Sequence, residues 1–259
     1  MAKDRKRLDV LLVERGLAET RSKAQAIIMA GEVQVNGVMI DKPGTPCNAD
    51  AFIEVHQRPK FVSRGGDKLE AALLHFRFST VGKVAADVGA STGGFTDCLL
   101  QYGASKVYAV DVGYGQIAQK LRDDNRVVLM ERTNARYLEK LPEPVNLVVI
   151  DASFISLRLI LPVIINWLTD DGDVIALIKP QFEAGRAEVG KGGVVRHREI
   201  HIKVLNTVLT FAAGLGLALR GLVQSPIKGP AGNVEFLAWF SAGSASSPAA
   251  LDSIIEAVL

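Results

Sequence analysis

The segment Asp87-Val88-Gly89-Ala90-Ser91-Thr92-Gly93-Gly94-Phe95 follows a short apolar run and has the composition of a turn around a ligand. Glycine turns tightly and lets the main chain pass close to a bound group. Three ligand chemistries compete for such a loop. A dinucleotide needs G-x-G-x-x-G, and position 91 is serine. A phosphate-cradling loop needs Gly-Lys followed by Ser or Thr, a sequence missing from this segment. A methyltransferase cofactor loop opens on an acidic residue and serves a ligand without pyrophosphate. Asp87 fits that third chemistry, because its carboxylate can pair with the ammonium of a methionine moiety. Asp111, 24 residues further on, ends the next apolar run, where a carboxylate can accept both hydroxyls of a ribose. Asn134, after the third run, is a candidate for an adenine edge. The set favours S-adenosylmethionine, with Gly89, Ser91, Thr92, Gly93, Gly94 and Phe95 forming the turn that holds it.

Four ionisable side chains stand where an apolar core would not place them. Lys68 follows Ser63-Arg64-Gly65-Gly66-Asp67 at the start of a helix, and Asp151 and Lys179 end the fourth and fifth apolar runs. Glu235 is expected inside a late strand, Val234-Glu235-Phe236-Leu237. Strand ends at the cofactor edge are where catalytic groups belong. Taken singly, each of the four is a solvated charge. One decoy is nearby: Gly185-Arg186-Ala187-Glu188-Val189-Gly190-Lys191 matches the first seven positions of a phosphate-binding loop, but position 192 is glycine and the segment follows the fifth run, not the first. Residues 185–196 therefore read as a flexible basic loop near substrate, with ATP binding disfavoured.

The elements that must position these groups follow from hydrophobic periodicity. Val84–Val88, Val107–Val110, Val127–Leu129, Leu147–Ile150 and Val174–Ile178 are short apolar runs suited to buried parallel strands. Periodic stretches such as Thr96 to Tyr102 and Leu157 to Leu168 lie between them. The alternation predicts an α/β fold, a Rossmann-like doubly wound sheet whose ligands bind beyond the carboxyl ends of the strands. Ahead of it the pattern differs. Leu8, Leu11 and Leu12 predict a short helix ended by Gly16, and Thr20 caps a second helix through Ile27, Ile28 and Met29 that stops at Gly31. Val33 to Val38 predicts a hairpin around Asn36-Gly37, and Phe52 to Val55 a closing strand. The polar segment His56-Gln57-Arg58-Pro59-Lys60 marks the boundary, giving a small α+β domain over 1–58 and a larger one over 59–259.

Composition narrows the function classes. The 259 residues are 48% hydrophobic, enough for a substantial core. Two cysteines, far apart, and four histidines without ligand spacing point to a reducing cytoplasm and to no metal; His197 and His201 read as solvated polar side chains. The two longest apolar stretches, Leu159–Leu168 and Val208–Leu219, are too short to span a membrane, and the N-terminal residues are not those of a secretory signal. Net charge is only +2, yet residues 1–25 hold seven basic side chains (Lys3, Arg5, Lys6, Arg7, Arg15, Arg21, Lys23) against four acidic ones. A basic face on a near-neutral protein suits a polyanion or a merely solvated surface.

The N-terminal segments Arg7-Leu8-Asp9, Arg21-Ser22-Lys23-Ala24 and Gly31-x-Val33-x-Val35-Asn36-Gly37 resemble the S4 RNA-binding domain. That resemblance implies that Arg7, Arg15, Arg21 and Lys23 engage RNA phosphates. Lys68, Asp151, Lys179 and Glu235 match the Lys-Asp-Lys-Glu set of the FtsJ-like ribose 2′-O-methyltransferases. With Ser63–Leu69, Asp87–Phe95, Asp151-Ala152-Ser153-Phe154-Ile155-Ser156-Leu157, Ile178–Glu183 and Gly192–Arg196, the chain resembles the TlyA family along nearly its whole length. That family carries a haemolysin-like name and methylates cytidine 2′-hydroxyls of ribosomal RNA. The resemblance implies S-adenosylmethionine as cofactor, ribosomal RNA or ribosomal subunits as partner, no metal, and RNA contacts from Arg64 and Arg196. Lys179 is then expected nearest the 2′-oxygen, with repulsion from Lys68 favouring its neutral form while Asp151 and Glu235 orient the amines and pull the other way. Phe154 is either a platform for a flipped base or a core phenylalanine. A membrane-active protein, a non-catalytic ribosome-assembly factor and a small-molecule methyltransferase are the rival classes.

Overall fold

The computed structural model describes residues 5–55, 59–242 and 248–259. The boundary residues His56, Gln57 and Arg58 and the basic Lys3 lie outside them. Contacts between residues divide the chain into two units, Met1–Pro59 and Lys60–Leu259.

The first unit contains β1 (Arg5–Arg7), α1 (Leu8–Glu14), α2 (Arg21–Met29), β2 (Val33–Val35), β3 (Val38–Ile40), β4 (Pro46–Asn48) and β5 (Ile53–Val55). Leu8, Leu11 and Leu12 of α1 share one buried cluster with Ala24 and Ile28 of α2 and with Val33, Cys47 and Ile53. Thr20 caps α2 as expected, its hydroxyl accepting the Lys23 N–H at 3.2 Å. Asn36 and Gly37 take φ values of +51° and +79°, the two positive angles of a type I′ turn, and β2 and β3 pair antiparallel across them. The closing strand starts at Ile53, one residue later than expected, with Phe52 exposed. The pairing of β1 with β4 was not expected. Arg5-Lys6-Arg7 carries no apolar alternation, so no hydrophobic signal marks it as a strand.

The second unit runs α3 (Arg64–Phe76), β6 (Val84–Val88), α4 (Gly94–Gln101), β7 (Lys106–Val110), α5 (Gln119–Arg122), β8 (Val127–Met130), β9 (Val145–Ile150), α6 (Leu157–Ile164), β10 (Leu168–Ile178), α7 (Pro180–Glu183), α8 (Arg198–Gly214), β11 (Leu217–Gln224), β12 (Phe236–Ala242) and α9 (Pro248–Val258). Its seven-stranded sheet has the order β11-β12-β10-β9-β6-β7-β8. The five strands read from the sequence as parallel are parallel, and β12 runs antiparallel to both β10 and β11. Successive residues feed opposite faces. Ala85, Val107, Leu147 and Ile175 pack with α3 and α4, whereas Ala86, Tyr108, Val148 and Val174 pack with α6, α8 and α9. Both faces are thus covered by helices, as in a doubly wound sheet.

Three expectations are corrected here. Glu235 lies just before β12 rather than inside a strand. His201 is buried, its ring edge-on to Phe236 at 5.8 Å and its Nε2 3.2 Å from the Val195 carbonyl, because position 201 falls on the inward stripe of α8. His197, at the N-cap of α8, is the solvated one of the pair. The 185–196 segment, expected to be flexible, is pinned: the Asn233 amide donates to the Gly193 carbonyl at 2.9 Å and its oxygen accepts the Val195 N–H at 2.9 Å. A bridge between Gly190 and Val194 closes the turn.

Candidate active site

Sheet register brings the candidate groups together. Val88 pairs with Ile150, Ala176 with Ile150, and Ile178 with Phe236. Gly89, Asp151, Lys179 and Glu235, each one step beyond these strands, therefore emerge at a single edge, since β12 enters the sheet where the parallel strands leave it. The N-terminus of α3 packs against that of α4 beside this edge. A Cβ on Gly94 would stand 2.3 Å from Ser63 Oγ and 2.9 Å from the Gly66 nitrogen, so only glycine permits this approach. That packing carries Lys68 in.

All four members of the amine–carboxylate set line one cavity of about 590 Å³. They form two separate ion pairs, Lys179 Nζ to Asp151 Oδ1 at 2.6 Å and Lys68 Nζ to Glu235 Oε2 at 2.6 Å. The second is buried, with side-chain exposures of 10% and 1%. The expected scheme, in which one lysine acts on the other by repulsion, is therefore reshaped: each amine has its own carboxylate. Lys179 Nζ also donates to Ser153 Oγ at 2.8 Å and reaches the Asp151 carbonyl at 3.4 Å. Arg64 lines the same cavity. Arg196 does not; it borders a separate hollow of about 260 Å³ with Lys191 and His197.

A second cavity, of about 570 Å³, contains Asp111 and Asn134 and shares Gly89, Ser91, Asp151, Ser153 and Phe154 with the first. Asp111 accepts the Ser91 N–H at 2.8 Å on Oδ2 and the Gly113 N–H at 2.7 Å on Oδ1. Each oxygen keeps a second lone pair, which is the acceptor set a ribose diol requires. Asn134 uses its oxygen to cap a short 3-10 turn through the Arg136 N–H at 3.0 Å, leaving the amide nitrogen to donate. Thr92 and Phe95 belong to the wall of the first cavity, although Phe95 is mostly core at 2% exposure. The glycines answer to protein atoms first. A Cβ on Gly89 would lie 2.9 Å from the Asp151 carbonyl, and one on Gly93 would lie 2.3 Å from Leu121.

Asp87 departs from its expected direct role. It is fully buried and lines neither cavity. Its Oδ2 accepts both the N–H and the hydroxyl of Thr96, at 2.9 and 2.7 Å, so it anchors the first turn of α4. Its Oδ1 has no partner. Burial pushes the carboxyl up to about 7, Asp151 and Asp111 add repulsion, and the Thr96 bonds act against the shift. A stability test follows from the direction of the shift. The folded chain keeps this proton where an unfolded one, with a carboxyl near 3.8, has released it. Stability from this group is thus greatest below about pH 4 and declines by a few kcal/mol as pH rises to about 7. Urea unfolding at pH 5 and pH 8 should show that Asp87→Asn removes this component of the slope; an unchanged slope refutes it.

Phe154 is not a core phenylalanine. It is 91% exposed, stands at φ +64°, and lies 5.0 Å from Phe182 between ring centroids. A solvent-facing aromatic held in a left-handed backbone conformation is poorly explained by packing. Sequence reasoning missed several neighbours. Ser153 touches Lys179, and Gln181 donates to Glu235 Oε1 at 3.4 Å while its own oxygen is buried without a partner. Tyr114 and Tyr137 are also exposed, with the guanidinium groups of Arg132 and Arg136 over their rings at 4.2 and 5.4 Å. The signal for these was proximity to strand ends, since each lies in the segment that follows β7, β8, β9 or β10.

In the first unit the four expected RNA cations are engaged within the protein. Arg7 and Arg21 both donate to the buried Asp9 carboxylate, at 2.9 to 3.0 Å, yet remain half exposed. Those three bonds, with a fourth from Gln25, hold the Asp9 carboxyl well below the usual range, Arg7 contributing most. Arg15 instead donates to the carbonyls of Ala51 and Ala49 at 2.6 and 2.5 Å, a structural clamp, and Lys23 pairs with Glu19. Among the described residues no cluster of three or more His, Cys, Asp or Glu side chains is placed to hold a metal ion, and no helix is long and apolar enough to cross a membrane.

Comparison with known proteins agrees with this geometry. Residues 61–242 match the profile of the FtsJ-like methyltransferases and residues 6–53 that of the S4 domain. YqxC of Bacillus subtilis is 54% identical over 244 residues, 92% of this chain and 86% of its own. The 16S/23S rRNA (cytidine-2′-O)-methyltransferase TlyA of Mycobacterium tuberculosis is 45% identical over 239 residues, 91% of this chain and 89% of its own. A solved structure from Streptococcus thermophilus that carries a hemolysin name superposes with a TM-score of 0.74 at 45% identity, covering 99% of this chain and 96% of that one.

Proposed function

Since the chain belongs to the FtsJ-like methyltransferase family and carries an S4 domain ahead of the catalytic unit, we propose that it methylates the ribose 2′-hydroxyl of a cytidine in ribosomal RNA, with S-adenosylmethionine as the donor. The observation that carries this reading is the meeting of two cavities at Gly89, Ser91, Asp151, Ser153 and Phe154, one holding the two lysine–carboxylate pairs and the other Asp111 and Asn134. S-adenosylmethionine, when bound, supplies a methyl group on a sulfonium that needs no further activation. Asp111 would accept the ribose hydroxyls of the donor and Asn134 would face its adenine, while Asp87 would act indirectly by anchoring the first turn of α4 through Thr96.

The chain's own residues then have to orient one oxygen and take one proton. A ribose hydroxyl is a weak nucleophile, so alignment and proton removal are the contributions a protein can make. Lys179 is the acceptor for the hydroxyl proton, held in place by Asp151. Lys68, fixed by Glu235, sets the position and charge of the opposite wall. Phe154 offers its ring to the unstacked base, and Arg64 faces the same cavity to meet RNA phosphate. Arg7 and Arg21 offer their exposed edges from the S4 domain, and Arg132, Tyr114, Arg136 and Tyr137 form cation–aromatic pairs of the kind that grip single strands. Ribosomes as substrate place the reaction in the cytoplasm.

The test is methyl mapping of ribosomal RNA from cells with and without the protein, paired with transfer from the labelled donor to subunits from the deficient cells. A 2′-O-methylcytidine that appears only with the protein is expected. Label on a base, or no label on either subunit, overturns the reading; erythrocyte leakage by nucleic-acid-free protein would favour the membrane-active alternative. Phe154→Ala is expected to lower kcat/KM on RNA about tenfold, in keeping with the ~1–3 kcal/mol of a stacked base. An unchanged value would remove the platform.

A further inference from the structure

Lys179 makes three donations, to Asp151 Oδ1 at 2.6 Å, Ser153 Oγ at 2.8 Å and the Asp151 carbonyl at 3.4 Å. Those are the three hydrogens of an ammonium. Two of the acceptors belong to Asp151, and neither a carboxylate nor a carbonyl can hand a proton onward by exchanging one of its own. Ser153 can, because a hydroxyl accepts on its oxygen while donating its hydrogen elsewhere. Its position suits that task. Ser153 is exposed, lines both cavities, and among the described residues donates to no protein acceptor, so its hydrogen is free for water. The backbone keeps it there, for Phe154 at φ +64° turns the chain directly after it.

We propose that Ser153 is the proton exit for Lys179, acting through that lysine and not on the substrate. The inference rests on the methyl-transfer reading. After Lys179 has taken the hydroxyl proton, one ammonium N–H bond breaks as an O–H bond forms on Ser153, while the original Ser153 O–H bond breaks and its proton passes to water. Nothing is oxidised or reduced, and the amine is restored for the next turnover. The other charged groups near this step are Asp151 on β9's end, the Lys68–Glu235 pair, Arg64 and Lys228 of the first cavity, Asp111 and Arg136 of the second, and the buried Asp87 behind Asp151.

The experiment compares the full-length wild type with Ser153→Ala and Ser153→Thr on ribosomal subunits, in single turnover and in steady state, with imidazole buffer varied at constant pH and ionic strength. Ser153→Ala should keep a single-turnover rate within about threefold of wild type but lose about tenfold in steady-state kcat, and added imidazole should restore it. Ser153→Thr, which keeps the hydroxyl, should behave as wild type without imidazole. A steady-state kcat for Ser153→Ala equal to wild type overturns the proposal, and so does a loss that imidazole does not relieve or that Ser153→Thr shares. Should wild type itself transfer no methyl to RNA, the parent reading fails instead.

Discussion

Lys179→Met loses about 10² to 10⁴ in the rate of methyl transfer, the range that a positioned proton acceptor contributes. Methionine fills similar volume without a donor or a lone pair able to take a proton, so the cavity keeps its shape and loses its chemistry. Asp151, 21% exposed at the side chain, stays hydrated when its partner is removed, which keeps the effect on folding small. Lys179→Arg should fail equally, because a guanidinium does not release its proton in proteins. Single-turnover transfer of labelled methyl to ribosomal subunits measures the loss, and calorimetric titration with the donor checks that binding survives. Transfer by Lys179→Met at the wild-type rate would dismiss this lysine as the acceptor.

Glu235→Ala has the largest expected effect on stability. It leaves the Lys68 ammonium, 10% exposed, without its carboxylate. Breaking a buried pair by removing one partner costs about 3–5 kcal/mol, because the remaining charge is neither hydrated nor compensated. The site gives little room for relief: Gly229 packs so closely that a Cβ there would lie 2.5 Å from Glu235 Oε1, and Gln181 would lose the acceptor for its amide. Removing both charges, with Lys68→Met and Glu235→Leu together, should recover most of that stability while leaving the enzyme inactive. Urea unfolding of Lys68→Met, Glu235→Leu and the double closes the cycle. If the double is as unstable as the sum of the singles, the pair is not coupled in the folded state.

The parallel strands were legible because burial on both faces leaves continuous apolar runs, and the sheet order at β6, β7, β9 and β10 places their ends where the sequence put acidic and basic residues. Asn36-Gly37 and Thr20 were legible for a more local reason, since their preferred backbone angles and hydrogen bonds depend on few neighbours. Glu235 was singled out but placed in the wrong element, as the apolar residues on both sides of it mask the point where β12 begins. His201 was misjudged because a histidine on the inward stripe of a helix has the same sequence pattern as one facing water.

Residue type and spacing alone thus determined which ionisable side chains stand out and that Asp111, Asp151 and Lys179 sit at strand ends, for hydrophobic period and turn propensity act over a few residues. Which amine meets which carboxylate was decided only by tertiary structure: the register of β12 against β10 and the approach of α3 to α4 join residues 68 and 235, which no local preference relates. The same holds for Asp87, whose chain position marks a carboxylate but whose enclosure against Thr96 decides what that carboxylate does. Electrostatic energies depend on separation in space and on access to water, and both are properties of the folded chain.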